Sequence, residues 1–284
     1  MCGQQREGDS ELTEQGHEHG IADHLHYWTL KLSDENPFLQ IHLDTMLITI
    51  LIAAGMVWFS RRLAARLTAG TPGGMQNFVE SIIEFVNQTV KDNFPVENPL
   101  IAPLALTIFV FVFLCNTMDI LPAYLMGHIA SLFGIPHFRP VPTNDLNLPA
   151  AMAVCVFVLV LYYEFRLKPV HFCKELLFEP FTNLMPAPLK PVIMPLNLVL
   201  KLIEELAKPL SLAFRLFGNM FAGEVIFLLI AFLLLGGGAV GMIVGFFVGL
   251  GWSMFHLFIG LLQAFIFMIL SIVYLSIAHQ PVEH

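Results

Sequence analysis

Residues 206–227 read LAKPLSLAFRLFGNMFAGEVIF, and the setting of two charges in that run decides the fold. Arg215 stands among Leu212, Phe214, Leu216 and Phe217, and from 209 to 282 only Arg215 and Glu224 carry a formal charge. After Lys208 the apolar sequence runs to about residue 235, pauses at Gly236-Gly237-Gly238, and resumes to about 278. A helix needs about 20 mainly apolar residues to cross the bilayer, so each half is long enough to span. The two halves, 206–235 and 240–278, are expected to form a long antiparallel helix hairpin in a membrane.

Working outward, the rest of the chain fits that setting. Of its 284 residues, 56% are hydrophobic and 13% charged, against about 25% charged in soluble domains. Three further spans are expected near 42–63, 99–121 and 148–166, giving an all-α polytopic membrane protein with about five transmembrane helices. The first is closed by Arg61 and Arg62. Residues 75–91 place Phe78, Ile82, Phe85 and Val86 near one face, which reads as an interfacial amphipathic helix. Residues 170–185, with Phe172, Leu176, Leu177 and Phe181, read as a second. Residues 190–208 mix apolar positions with Lys201, Glu204, Glu205 and Lys208, which leaves their depth open.

The net charge of -8 belongs mostly to one end, because residues 1–44 hold nine acids and two bases. Residues 1–40 read as a polar acidic extracytoplasmic tail and 41–284 as one membrane domain. The tail lacks the basic n-region and apolar h-region of a signal peptide. Its histidines, His17, His19, His24 and His26, have no cysteine or close acid cluster to complete a metal site, so the expectation is no metal and no cofactor. Cys2, Cys115, Cys155 and Cys173 show no CxxC spacing, and Cys115 and Cys155 sit in apolar runs where cysteine acts as a small hydrophobe. No phosphate-binding loop, dinucleotide glycine pattern or HExxH is present. Arg61, Arg62, Arg66 and Lys91 follow the first span, and Arg166, Lys168, Lys174 and Lys190 follow the third. The positive-inside rule then places the amino terminus outside and the carboxyl terminus in the cytoplasm.

The intramembrane charges mark the functional candidates. A charge at bilayer depth costs at least ~2.5–3.5 kcal/mol and seldom faces lipid. Lys208, Ser211, Arg215 and Asn219 recur at intervals of three and four, along one helical face. Glu224 lies about 13 Å further along the axis, too far for a local ion pair with Arg215. Across the hairpin, His256 and Gln263 align after two turns, with Ser253 and Gly260 on the same stripe. The antiparallel order brings Glu224 toward His256 and Arg215 toward Gln263.

The run Ser211–Glu224, SLAFRLFGNMFAGE, resembles the signature of the subunit a family of bacterial rotary ATP synthases. Asn98–Pro122 (NPLIAPLALTIFVFVFLCNTMDILP), Val141–Asn147 (VPTNDLN) and Phe255–Ser276 (FHLFIGLLQAFIFMILSIVYLS) carry the same resemblance. It implies a non-catalytic stator subunit of the bacterial inner membrane that moves protons past a ring of c subunits, with peripheral-stalk b subunits as further partners and no nucleic acid. It implies that Arg215 faces the rotor carboxylate, and that Asn219, Glu224, His256 and Gln263 line two offset half-channels. Asp119 and Asp145 then gather protons at the outer ends of their spans, or simply cap those ends. Lys208 falls toward the cytoplasmic exit or anchors the helix, Ser211 is a further half-channel or interface candidate, and Glu175 is a weaker candidate on the cytoplasmic side.

Two other classes compete. A secondary transporter would use the same charges for solute coupling, but normally shows paired internal repeats, and none is visible. A membrane-embedded enzyme would need a ligand cluster or nucleophile–base pair outside the last hairpin, and the sequence offers neither.

Overall fold

A computed structural model describes residues 29–31, 40–67, 70, 73–96, 98–120, 142–169, 172, 174 and 190–280. Among the described residues six helices carry the architecture: α1 (Leu43–Ala64), α2 (Gly74–Asn93), α3 (Ile101–Thr117), α4 (Asn147–Leu167), α5 (Lys190–Gly236) and α6 (Gly238–His279). Ahead of them a short antiparallel ladder pairs β1 (Thr29–Lys31) with β2 (Gln40–His42), an element the sequence reading does not anticipate. Short 3-10 turns at Met118–Ile120 and Pro142–Asn144 end α3 and precede α4. The protein is a polytopic helical membrane protein: α1, α4, α5 and α6 are long and apolar enough to cross a membrane. Helix α3 is equally apolar but has 17 residues, about 26 Å, and the turn after it supplies the remaining length.

The last two helices are longer than any bilayer requires. Helix α5 has 47 residues, about 70 Å, and α6 has 42 residues, about 63 Å, against a hydrocarbon core of about 30 Å. Helix α6 contains no Asp, Glu, Lys or Arg, so standing upright would push two turns or more of bare apolar surface into water. A tilt relative to the bilayer normal would keep more of that surface in lipid. Helix α5 begins at Lys190, well before residue 206, because 190–208 continues the same helix through Pro195 and Pro209. Each proline lacks an N–H and leaves one carbonyl, that of Glu205 for Pro209, without its helical partner.

The hairpin turns at Gly237 and at Gly238, whose φ of 59° suits a residue without Cβ. From there the helices run back in step: Gly245 meets Leu234, Gly249 meets Ile230, and Gly223 meets His256. A Cβ on Gly245 would lie 2.7 Å from Leu234 Cγ, so the small residue sets the close approach. The core forms where α3, α4, α5 and the second half of α6 converge on Phe109, Val112, Val156, Leu216, Met268 and Ile272. The first half of α6 and most of α1 present apolar side chains outward, as lipid or a partner subunit requires. On α2, Val86 and Val90 are buried and Phe85 stacks toward Phe109 and Phe265, whereas Met75 and Phe78 are exposed. At the far end of the core, Asn98 Nδ2 lies 3.3 Å from both Tyr163 Oη and His279 Nε2, tying the ends of α3, α4 and α6 together. The expected interfacial segment 170–185 falls almost wholly outside the described residues, as do the tail histidines, Cys2 and Cys173.

Candidate functional site

The polar face of α5 is built as its spacing dictates. Ser211, Arg215 and Asn219 follow one another at single turns, beside the exposed Phe214, Gly218 and Phe221. The half-buried Arg215 makes one weak polar contact, from Nη2 to Ser211 Oγ at 3.5 Å. Among the described residues no carboxylate pairs with it. Lys208 belongs to a different group: its Nζ lies 2.7 Å from Glu205 Oε1, and Lys201 Nζ lies 3.6 Å from the same oxygen. Glu205 is buried between these two cations, so Lys208 is drawn back along α5 rather than toward Arg215.

Across the hairpin, Asn219 Nδ2 donates to Gln263 Oε1 at 3.0 Å. Gln263 is buried, so the expected approach of Arg215 to Gln263 is taken up by Asn219, one turn further along. One helical turn before Gln263, the carbonyl of Gly260 accepts from Asn116 Nδ2 of α3 at 3.1 Å. A further turn back is His256, whose side chain is 1% exposed. Its Nε2 lies 2.5 Å from Oδ2 of Asp119, itself in the 3-10 turn ending α3. The approach is close but off-line, since neither atom meets hydrogen-bond geometry. On the α5 side the ring meets Gly223 and, edge-on at 5.6 Å, Phe227. A Cβ on Gly223 would fall 2.0 Å from His256 Cε1. The missing side chain is therefore what lets the imidazole sit between α5 and α3.

The remaining candidates divide. Glu224 is half-buried on α5, next to Gly223 and thus beside the point where His256 docks. Asp145 Oδ1 accepts from the backbone N–H of Asn147 at 3.1 Å, the capping alternative for that residue. Glu175 lies outside the described residues. Sequence reasoning missed Asn116, Thr143 and Asn144. The last two are buried in the turn before α4, with side-chain polar atoms that lack hydrogen-bond partners. Asn116, a lone amide inside the apolar run 104–115, carried a signal that could have found it; Thr143 and Asn144, in the polar run 141–147, carried none. A line of polar groups thus runs from the buried side chains of Asp119 and His256 past Gly260 to the buried Gln263, and ends at the exposed Asn219, one turn from Arg215. Groups that exchange protons, or that bind a hydrated ion in passing, need such a polar path through hydrocarbon.

Comparison with known proteins identifies the family. Residues 44–276 match the family model described as ATP synthase A chain. The chain is 44% identical over 270 residues to an ATP synthase subunit a of Shewanella baltica, covering 95% of this chain and 97% of that one. It is 44% identical over 262 residues to ATP synthase subunit a 1 of Methylococcus capsulatus, covering 92% and 96%. Against an ATP synthase subunit a of Aliivibrio salmonicida it is 43% identical over 279 residues, covering 96% and 97%. The chain belongs to the ATP synthase subunit a family, non-catalytic subunits of the synthase's membrane sector.

Proposed function

We propose that this chain is the proton-conducting stator of a bacterial rotary ATP synthase. It forms two offset half-channels against a ring of c subunits and couples proton passage to rotation of that ring. The observation that carries the reading is Arg215: a permanent cation among apolar neighbours, at the edge of an exposed helix face, with no acid partner among the described residues. A guanidinium does not deprotonate in proteins, and burying it alone is unfavourable, so it calls for an anion from another chain. A carboxylate on a passing rotor helix supplies one.

The mechanism follows from that cation. Beside Arg215 the ionised form of the rotor carboxylate is favoured, so its proton leaves toward the exit. Moving on into lipid requires the carboxylate to be neutral again, and the proton for that comes from the other half-channel. Asp119, His256, Glu224, Asn219 and Gln263 form the intake side, with His256 and the two acids able to hand a proton along. The exit side begins at Ser211 and runs toward Lys208. The fixed charge between them blocks a direct proton leak. Positive-inside asymmetry places the amino terminus outside and the carboxyl terminus in the cytoplasm of the inner membrane. Peripheral-stalk b subunits hold the chain against rotation.

Affinity isolation of the full chain from its own membranes in mild detergent tests this reading. Mass spectrometry should find small two-helix subunits in ring stoichiometry together with the other synthase subunits. A chain that isolates alone, and that carries a solute-dependent current in liposomes, would contradict it.

A further inference from the structure

A cavity of about 560 Å³ opens between the end of α1 and the start of α2, away from the polar path described above. Arg62 and Arg66 form one wall, Phe59, Leu63 and Met75 the apolar part, and Gly74 begins α2 at its edge. Arg62 and Arg66 are one turn apart and so share a face, and both are exposed. Neither has a carboxylate partner among the described residues. The Arg62 guanidinium sits 5.5 Å from the centroid of the Trp58 ring, one turn back on the same face. That stacking orients the fork without using its N–H donors. Among the described residues no acid lines the cavity.

The depth of the cavity is set by the chain around it. Helix α1 is apolar until Arg61 and Arg62 close it, so its end reaches the headgroup layer. Helix α2 carries one apolar face, on which Met75 and Phe78 stay exposed close to the cavity. Its first turn has no side-chain cap, and the N–H groups there add partial positive charge to that of the two arginines. A site at this level that combines two unpaired guanidiniums with an apolar wall matches an amphiphile with an anionic head.

We propose that this cavity binds the headgroup of an anionic phospholipid. The phosphodiester lies between Arg62 and Arg66, within reach of the first turn of α2, and the acyl chains descend along Phe59, Leu63 and Met75. Arginine's planar fork suits two phosphate oxygens at once. Basic pockets between membrane helices commonly take such headgroups. A zwitterionic lipid would bring its own cation against the two guanidiniums, with no acid among the described lining residues to receive it. The site would pin the interfacial helix α2 to the end of α1, and it needs only the membrane location of the chain, not the proton path.

Native mass spectrometry of the full chain in detergent tests the proposal, with phosphatidylglycerol and phosphatidylcholine titrated separately. Phosphatidylglycerol should bind about tenfold more tightly, the scale of one charge-assisted hydrogen bond. The Arg62→Gln/Arg66→Gln double variant should lose that preference, and Arg61→Gln, whose side chain does not line the cavity, should keep it. Unchanged thermal unfolding of the variants would show that the loss is local. Equal binding of the two lipids by the unaltered chain would overturn the proposal. So would an equal loss in Arg61→Gln, which would mean a diffuse basic surface. Displacement of phosphatidylglycerol by inorganic phosphate at millimolar concentration would show a site for free phosphate and overturn the lipid assignment.

Discussion

His256 on α6 and Asp119 at the end of α3 face each other at 2.5 Å, both almost fully buried, although 137 positions separate them in the chain. This contact joins the hairpin to the first core helix and gives the buried histidine an acid that comes from neither hairpin strand. If the pair acts as one proton-handling unit, its members are not independent. Asp119→Asn and His256→Ala should each lower ATP-driven proton pumping, and the double variant should lose less than the two effects combined. A coupling of about 0.5–3 kcal/mol is the range for residues in contact, read as pumping rates in inverted membrane vesicles.

Gly223 gives the sharpest steric prediction. Gly223→Val places a branched side chain where the His256 ring stands, with even the first atom 2.0 Å from Cε1. Overpacking of this kind costs about 1–3 kcal/mol and moves the imidazole away from Asp119. Thermal unfolding in detergent should fall and pumping should fall with it. Gly218→Ala on the same helix meets nothing within 4 Å in this chain, and its own fold should be unaffected in the same assay.

The Asn219–Gln263 bond predicts a different pattern. Asn219→Leu leaves the buried Gln263 carbonyl without its donor, a cost of about 1–3 kcal/mol. Replacing both by leucine removes the unmet group and should recover part of the lost stability. Thermal melts of the two variants distinguish this from a simple loss of packing.

How much of this was legible in the sequence depends on distance along the chain. The alignment of Ser211, Arg215 and Asn219, and of His256 with Gln263, follows from helical period alone and appears in the structure. The hairpin follows from two long apolar runs parted by three glycines. What periodicity does not encode is which helix lies behind a given face. Asn116 and Asp119 reach the site from α3 and the turn that ends it, through packing that no local pattern records. Lys208 shows the same gap in reverse: it shares a face with Arg215, yet the nearer acid at Glu205 captures it. Residues 190–208 left their depth open because charges break the apolar pattern; in the structure they continue α5, with ion pairs among Lys201, Glu204, Glu205 and Lys208 along it.

Lys208 and Arg215 should therefore separate by experiment. Lys208→Gln leaves Glu205 buried with one cation fewer, and part of the buried-pair penalty should appear as about 1–3 kcal/mol of lost stability. Arg215→Gln removes no ion pair within the described residues and should leave thermal unfolding of the isolated chain nearly unchanged.

The central claim is that Arg215 couples proton passage to rotation. Its most direct test is ATP-driven proton pumping by the complete synthase in inverted membrane vesicles, comparing the unaltered complex with Arg215→Ala. Assembly should be normal and pumping absent, with no growth on a respiratory substrate. Pumping and respiratory growth that both persist in the assembled variant would contradict the account.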